Sequence, residues 1–294
     1  MPTLEFTLMV GCPLMCSFCP QDRLRQSYGK ATKYFSLETF RTILAKVPEH
    51  VRIDFSGMAE PWANREATAM LRHTLEAGYS MAIYTTLYGM SAADAEAIVD
   101  LLRAHAAQVE ILCLHLPDHG GNMRGWRYDQ VYADNVRAFM DVGRSGVLRR
   151  FEAMTMDGSG RLHPDLAALG LHTGAWVGHS RAGNVTPQAV PDQPLLPARE
   201  KHGAVTCGYT PFYDQNVCLP NGDVVLCCMD YGLQHRIGNL LEQDYYEIFA
   251  AGGVARVVSE NMKPHFSAGS LCKRCDRAVV HTPAATRQFW QPVA

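Results

Sequence analysis

No apolar run in the 294-residue sequence approaches the ~20 residues needed to cross a bilayer. The N-terminus also lacks a basic region followed by a long apolar segment and a cleavage site. Both absences argue against a membrane protein or a secreted one, and a cytoplasmic location is expected. An excess of one charge is missing too. With 27 Lys and Arg against 29 Asp and Glu, the formal net charge is -2, which gives no global pull toward nucleic acid or acidic lipid. Neither a membrane nor a nucleic acid is expected as a partner, and a small, roughly neutral substrate fits the balance better.

Cysteine, by contrast, is abundant, with ten residues. In a small secreted chain that number would suggest disulfides, but in an intracellular protein of this size clustered cysteines point to metal or redox chemistry. The first cluster closes the stretch LEFTLMVGCPLMCSFCP, Leu4 to Pro20. Leu4 to Val10 reads as a short buried strand, broken by Gly11 and Pro13, so Cys12, Cys16 and Cys19 fall in the loop at its C-terminal end. Thiolates are soft ligands, and this spacing lets three sulfurs face one centre. Tetrahedral zinc wants a fourth ligand nearby, yet no Cys or His follows Cys19 until His50. Three thiolates on a four-iron cluster leave one iron open.

The spacing Cys-x3-Cys-x2-Cys, with aromatic Phe18 before the last cysteine, resembles the cluster loop of the radical S-adenosylmethionine enzymes. That resemblance implies a 4Fe-4S cluster on Cys12, Cys16 and Cys19, whose open iron chelates S-adenosylmethionine. One electron then cleaves the sulfonium to a 5'-deoxyadenosyl radical. It also implies that Phe18 packs near the adenine.

Strand and helix patterns then alternate. Ser36 caps LETFRTILAKV; Val51–Phe55 is a strand, Arg65–Ala77 a helix, Ser80–Thr86 a strand, Ala92–Ala106 a helix and Val109–Leu116 a strand. Trp126–Val142 is a helix, Arg149–Met156 a strand, Pro164–Leu169 a short helix and Ala175–His179 a sixth strand. Such alternation forces parallel strands, and six units suit a partial (β/α)6, TIM-like barrel within an α/β fold. Chemistry in such barrels sits at the C-terminal strand ends, where the cysteine loop and SGMAEP, Ser56 to Pro61, fall. The barrel is assigned to residues 1–185, a Pro-rich linker to 186–206, and a second domain with the tail to 207–294.

Glu60 in FSGMAEP resembles the GGEP motif of the same enzymes, which implies that Gly57 and Glu60 hold the amino end of S-adenosylmethionine. Met58 and Ala59 depart from that motif. Thr85 and Glu152, on strands, are candidates for the ribose or the substrate, or else satisfied core polar groups. Arg181, in HSRAGN after the sixth strand, offers a fixed fork of donors and is a substrate-contact candidate. His115, Asp118, His119 and Tyr209 are further barrel-mouth candidates, subject to strand register.

The second cysteine set is Cys207, Cys218, Cys227, Cys228, Cys272 and Cys275. NVCLPNGDVVLCC reads as a hairpin turning at Asn221-Gly222, a pair favoured where both residues need positive φ. LEQDYYEIFAAGGVARVVSENM reads as a helix disrupted at Gly252-Gly253, and Cys272-Lys-Arg-Cys275 as a two-thiolate knuckle. The set resembles the SPASM/twitch region of radical S-adenosylmethionine enzymes, in the shorter twitch form with one auxiliary 4Fe-4S cluster. Its implied ligands are Cys207, Cys227, Cys272 and Cys275. A structural zinc is the competing reading, since both sites share thiolate ligands.

The expected reaction is oxidation of a carbinol on a small sugar- or aminocyclitol-like molecule, with the auxiliary cluster taking the second electron and flavodoxin or ferredoxin supplying the first. Epimerisation with Cys228 or Cys218 as hydrogen donor is the alternative, and peptide modification a further one. Against the last, only three residues precede the first strand, leaving no room for a peptide-recognition domain. A non-catalytic electron carrier would need no S-adenosylmethionine pocket and no barrel.

Overall fold

The computed structural model describes residues 1–176, 178–186, 195 and 198–281. Six strands, β1 (Thr3–Phe6), β2 (Arg52–Phe55), β3 (Met81–Thr85), β4 (Val109–Leu116), β5 (Phe151–Thr155) and β6 (Gly174–Ala175), pair in parallel in chain order. The crossovers carry α1 (Gln21–Tyr28), α2 (Leu37–Leu44), α3 (Ala67–Glu76), α4 (Ala92–Ala104), α5 (Gln130–Arg144) and α6 (Pro164–Ala167). Ser36 starts α2 as its residue type suggests: its hydroxyl accepts from Thr39 N at 3.1 Å. Phe6 and Phe55, on the helix-facing side of the sheet, pack with Phe35 and Phe40, all buried, with Phe6 and Phe40 ring centroids 4.7 Å apart.

Three expectations need correction. The first strand ends at Phe6 rather than Val10, because the chain past it pairs elsewhere. Phe35 N donates to Leu8 O at 3.1 Å and Val10 N to Lys33 O at 2.8 Å. The sixth strand is only Gly174–Ala175, and the chain soon turns through Arg181 and Ala182, both at positive φ; Val177, part of the expected span, lies outside the described residues. In the hairpin, Gly222 alone of the turn pair has positive φ, +82°. Its N donates to Leu219 O and Leu219 N to Asp223 O, so the loop is longer than a two-residue turn and Asn221 needs no left-handed conformation. Helix α1 was not anticipated from the polar, basic stretch after Pro20; its buried residues Gln21, Leu24 and Tyr28 form one helical stripe.

The C-terminal segment contributes β7 (Ala204–Cys207), β8 (Gln215–Cys218), β9 (Asp223–Val225), β10 (Arg236–Asn239), α7 (Tyr245–Ala250), α8 (Gly253–Asn261) and β11 (Ala278–His281). Gly252, at φ +81°, separates α7 from α8. Strand β8 lies parallel to β1, with Val217 beside Glu5, while β9 and β10 continue antiparallel. One nine-stranded sheet results, in the order β10-β9-β8-β1-β2-β3-β4-β5-β6. Separately, β11 pairs with β7 and sets Ala278 beside Cys207. Of the linker assigned to 186–206, residues 187–194, 196 and 197 lie outside the described residues, as does the tail from 282. Among the described residues no helix is long and apolar enough to cross a membrane.

Candidate iron-sulfur and substrate site

Strand alternation puts Glu5, Asp54, Tyr84, Cys113 and Glu152 on the inner face of the sheet, around a cavity of about 580 Å³. Cys12, Cys16 and Cys19 line that cavity. Gln21, the first residue of α1, braces their loop. Its Oε1 accepts from Cys12 N at 3.3 Å, and its Nε2 donates to Cys19 Sγ at 3.3 Å and to Met58 O. Ser17 N and Oγ donate to Asn122 O and Oδ1 at 3.0 and 2.5 Å, fixing the loop's outer side. Tyr231 OH stands 3.3 Å from Cys19 Sγ.

Burial pushes the Cys12 thiol up to about 12 and raises Cys16 as well. A bound cationic metal would reverse that preference, since a coordinating thiol loses its proton. Three soft donors around one cavity, with hydrogen-bond donors aimed at Cys19 Sγ, fit an iron-sulfur cluster.

Glu60 is buried at the end of β2's loop and accepts four hydrogen bonds. Trp62 N at 3.1 Å and Thr85 Oγ1 at 2.7 Å reach Oε1; Thr86 N at 2.6 Å and Thr86 Oγ1 at 2.7 Å reach Oε2. Thr85 therefore holds Glu60. Gly57, at φ +72°, lies so close to Thr7 that a Cβ would stand 2.3 Å from Thr7 Oγ1. Its N donates to Glu5 Oε2 at 3.1 Å. Phe18 lines the cavity, buried, with its ring 5.3 Å from that of Trp176. Glu152 also lines it and accepts from Arg150 Nε at 2.8 Å.

His115, Arg181 and Tyr209 line the same cavity. Burial, helped by the Arg181 charge, lowers His115 to about 4, so its imidazole is neutral near pH 7. Asp118 does not line it; this buried carboxylate accepts from Asn122 N and Nδ2 at 3.2 and 2.9 Å instead. His119 is exposed on the loop after it. Sequence reasoning missed Glu5, Gln21, Trp176 and Tyr231. Only Glu5 carried a signal, as the one charged residue in an apolar strand.

A second cavity, of about 50 Å³, is lined by Cys207, Cys227, Cys272 and Cys275. Ser270 Oγ accepts from Cys272 N at 3.1 Å, and Arg277 N donates to Cys275 Sγ at 3.4 Å. Among the described residues no three Cys, His, Asp or Glu groups converge tightly enough for a single metal ion. The four thiols stand around a void, an arrangement open to a multi-iron cluster. Glu5, Tyr209, Gln215, Cys228 and Met229 line both cavities and so form the wall between them. Cys218 lines neither, and is fully buried.

Fold and thiol geometry together define an α/β partial barrel with a four-thiol module at its C-terminus. Residues 207–276 match the SPASM family, an iron-sulfur cluster-binding domain, and all four thiols of the second cavity fall within that segment. The chain shares its fold with the crystal structure of BtrN in complex with AdoMet and 2-DOIA. That structure is 16% identical over 96% of this chain and 95% of the other, with a TM-score of 0.62. SeMet BtrN in an open conformation aligns at 14% identity over 99% and 98%, with a TM-score of 0.53. No curated protein sequence matches the chain.

Proposed function

We propose that the chain is a radical S-adenosylmethionine (AdoMet) oxidoreductase acting on a small polar, sugar- or aminocyclitol-like molecule. The observation that carries this reading is the shared cavity: Cys12, Cys16, Cys19 and Glu60 face the same space as Arg181 and Glu5, and the four-thiol SPASM cavity lies behind one wall of it. The fold shared with BtrN, whose structure holds AdoMet and 2-DOIA, supports it. When bound, two 4Fe-4S clusters and AdoMet supply a 5'-deoxyadenosyl radical that takes hydrogen from a substrate carbon, and an acceptor for the electron left behind.

The chain's own residues bind and orient. Gln21 donates to Cys19 Sγ, with Tyr231 OH beside it, and Glu60, fixed by Thr85 and Thr86, sets its carboxylate near the AdoMet ammonium as a charge rather than as a free acceptor. Gly57 keeps that loop close to Thr7, Phe18 with the tilted Trp176 ring offers an aromatic wall for adenine, and Glu152 faces the ribose or substrate. Arg181 contacts the substrate. Flavodoxin or ferredoxin supplies the external electron. Anaerobic reconstitution should give about eight irons per chain, as two four-iron clusters require. Reduction with AdoMet should then release 5'-deoxyadenosine. About four irons, or no 5'-deoxyadenosine above background, would defeat the reading.

A second reading, epimerisation, is favoured by one observation: Cys228 lines the central cavity beside Glu5. Cys218, the other candidate donor, contacts Leu219 O at 3.8 Å and is sealed from that space.

A further inference from the structure

Four carboxylates line the central cavity, and three are already engaged. Arg52 Nε and Nη2 donate to Asp54 at 2.6 and 2.8 Å, Arg150 Nε donates to Glu152 at 2.8 Å, and Glu60 has its four donors. Glu5 differs. Ser56 Oγ at 2.8 Å and Gly57 N at 3.1 Å both reach its Oε2, and no hydrogen bond of this kind reaches Oε1 among the described residues. Cys228, beside it on the cavity wall, adds only a weak thiol donor.

Arg181 has the complementary shortage. Its guanidinium makes no ion pair within 4.0 Å among the described residues, and its Nε is buried with no acceptor. It is held over the Tyr231 ring at 5.9 Å by a backbone at φ +49°, and its charge acts on Glu5. A donor shut away from water without an acceptor is unfavourable, so a bound molecule that brings an acceptor to the Arg181 fork is favoured.

We propose that Glu5 and Arg181 form the substrate clamp: Glu5 Oε1 accepts an O–H or N–H hydrogen of the substrate, and Arg181 donates to an oxygen of the same molecule. This rests on the reading that the cavity takes a small substrate beside AdoMet. The ligand class that satisfies both groups is a polyol or amino alcohol. A ligand that only donates leaves Arg181 unpaired, and one that only accepts leaves Glu5 Oε1 without a donor.

The test is calorimetric binding to the reconstituted, oxidised enzyme with AdoMet present, so that no turnover occurs. The probes are myo-inositol and glucosamine, against cyclohexylamine as donor only and cyclohexanecarboxylate as acceptor only. At least one of the first two should bind about tenfold or more tightly than either of the others, the scale of one charge-assisted hydrogen bond. Glu5→Gln and Arg181→Gln should each weaken that binding about tenfold or more, and Arg181→Lys less. The ranking of probes on the unaltered chain stands without any variant. No binding of either polyol, wild-type affinity in Glu5→Gln, or an Arg181→Gln variant that loses AdoMet affinity alone would overturn the clamp. Release of 5'-deoxyadenosine by the reduced unaltered enzyme is read in parallel. Its presence without polyol binding sinks the clamp alone, whereas its absence sinks the radical reading.

Discussion

Replacing Gly57 by alanine tests whether the loop that carries Glu60 is fixed by contact with the first strand's extension. Two costs add. The left-handed φ of +72° charges a residue with a Cβ roughly 1–2 kcal/mol. The new Cβ would stand 2.3 Å from Thr7 Oγ1, so that hydroxyl must move and release Met58 N, which it now accepts at 3.0 Å. An orphaned buried N–H costs roughly 1–3 kcal/mol. The sum, roughly 2–5 kcal/mol, is a large part of an ordinary domain's stability. Urea denaturation should show a lower midpoint at unchanged m-value. The sharper measurement is a double-mutant cycle with Thr7→Ala, which removes the hydroxyl. In that background Gly57→Ala should cost little beyond the backbone term, roughly 1–2 kcal/mol, since only the Cα and Cβ of residue 7, each 3.3 Å from the new Cβ, remain to be eased aside. Equal costs in both backgrounds would refute the argument, because the clash with Thr7 would then not be the constraint.

Three further outcomes are expected. His115, lowered to about 4 from the usual 6.5 by burial and the Arg181 charge, stays neutral in the folded chain while the unfolded chain takes up a proton. Stability is therefore lost as pH falls from about 6.5 toward 4, by up to about 1.4 kcal/mol per pH unit. His115→Gln should flatten that part of the profile, and an unchanged slope in urea titrations would contradict it. Glu60→Gln turns one acceptor oxygen into a donor facing Trp62 N or Thr86 N. It should cost roughly 1–3 kcal/mol of stability and weaken AdoMet binding measured by calorimetry; retention of both would remove Glu60 from the cofactor site. If the enzyme inverts a stereocentre, Cys228→Ala should keep 5'-deoxyadenosine formation and abolish the inverted product, whereas Cys218→Ala should leave the product ratio alone. NMR of the product reads both, and inversion surviving in Cys228→Ala would end the thiol-donor reading.

The parallel α/β order was legible because each strand and helix carries its own apolar period, and β4 was bounded to the residue. Cysteine spacing was equally readable, since metal ligands cluster by chemistry. Strand ends were harder: nothing in LEFTLMV says that Leu8 and Val10 bond to residues near Tyr34 rather than to β2. Thr85 illustrates a different limit. Its place at a strand end was evident, but only the fold shows that its hydroxyl is spent on Glu60. Glu5 and Cys228 are more than two hundred residues apart, and their meeting depends on long-range pairing that no local pattern encodes.

That pairing also bears on whether the barrel half can stand alone. Strand β1 sits between β2 and β8, so a chain cut at residue 185 leaves it as an open edge. The cut also strips the cover from Val10, Leu24, Tyr28 and Met58, which are buried against Val217, Leu219, Val225 and Tyr231. Re-exposing four such side chains, at about 1.5–3 kcal/mol each, removes roughly 6–12 kcal/mol. That is comparable with the whole stability of a typical domain. Residues 1–185 expressed alone should therefore aggregate or lack a cooperative thermal transition, while the full chain shows one. A monomeric fragment that melts cooperatively would mean that β8 decorates the barrel edge rather than completing it, and the wall formed by Glu5 and Cys228 would then be a docking contact between two separately folded units.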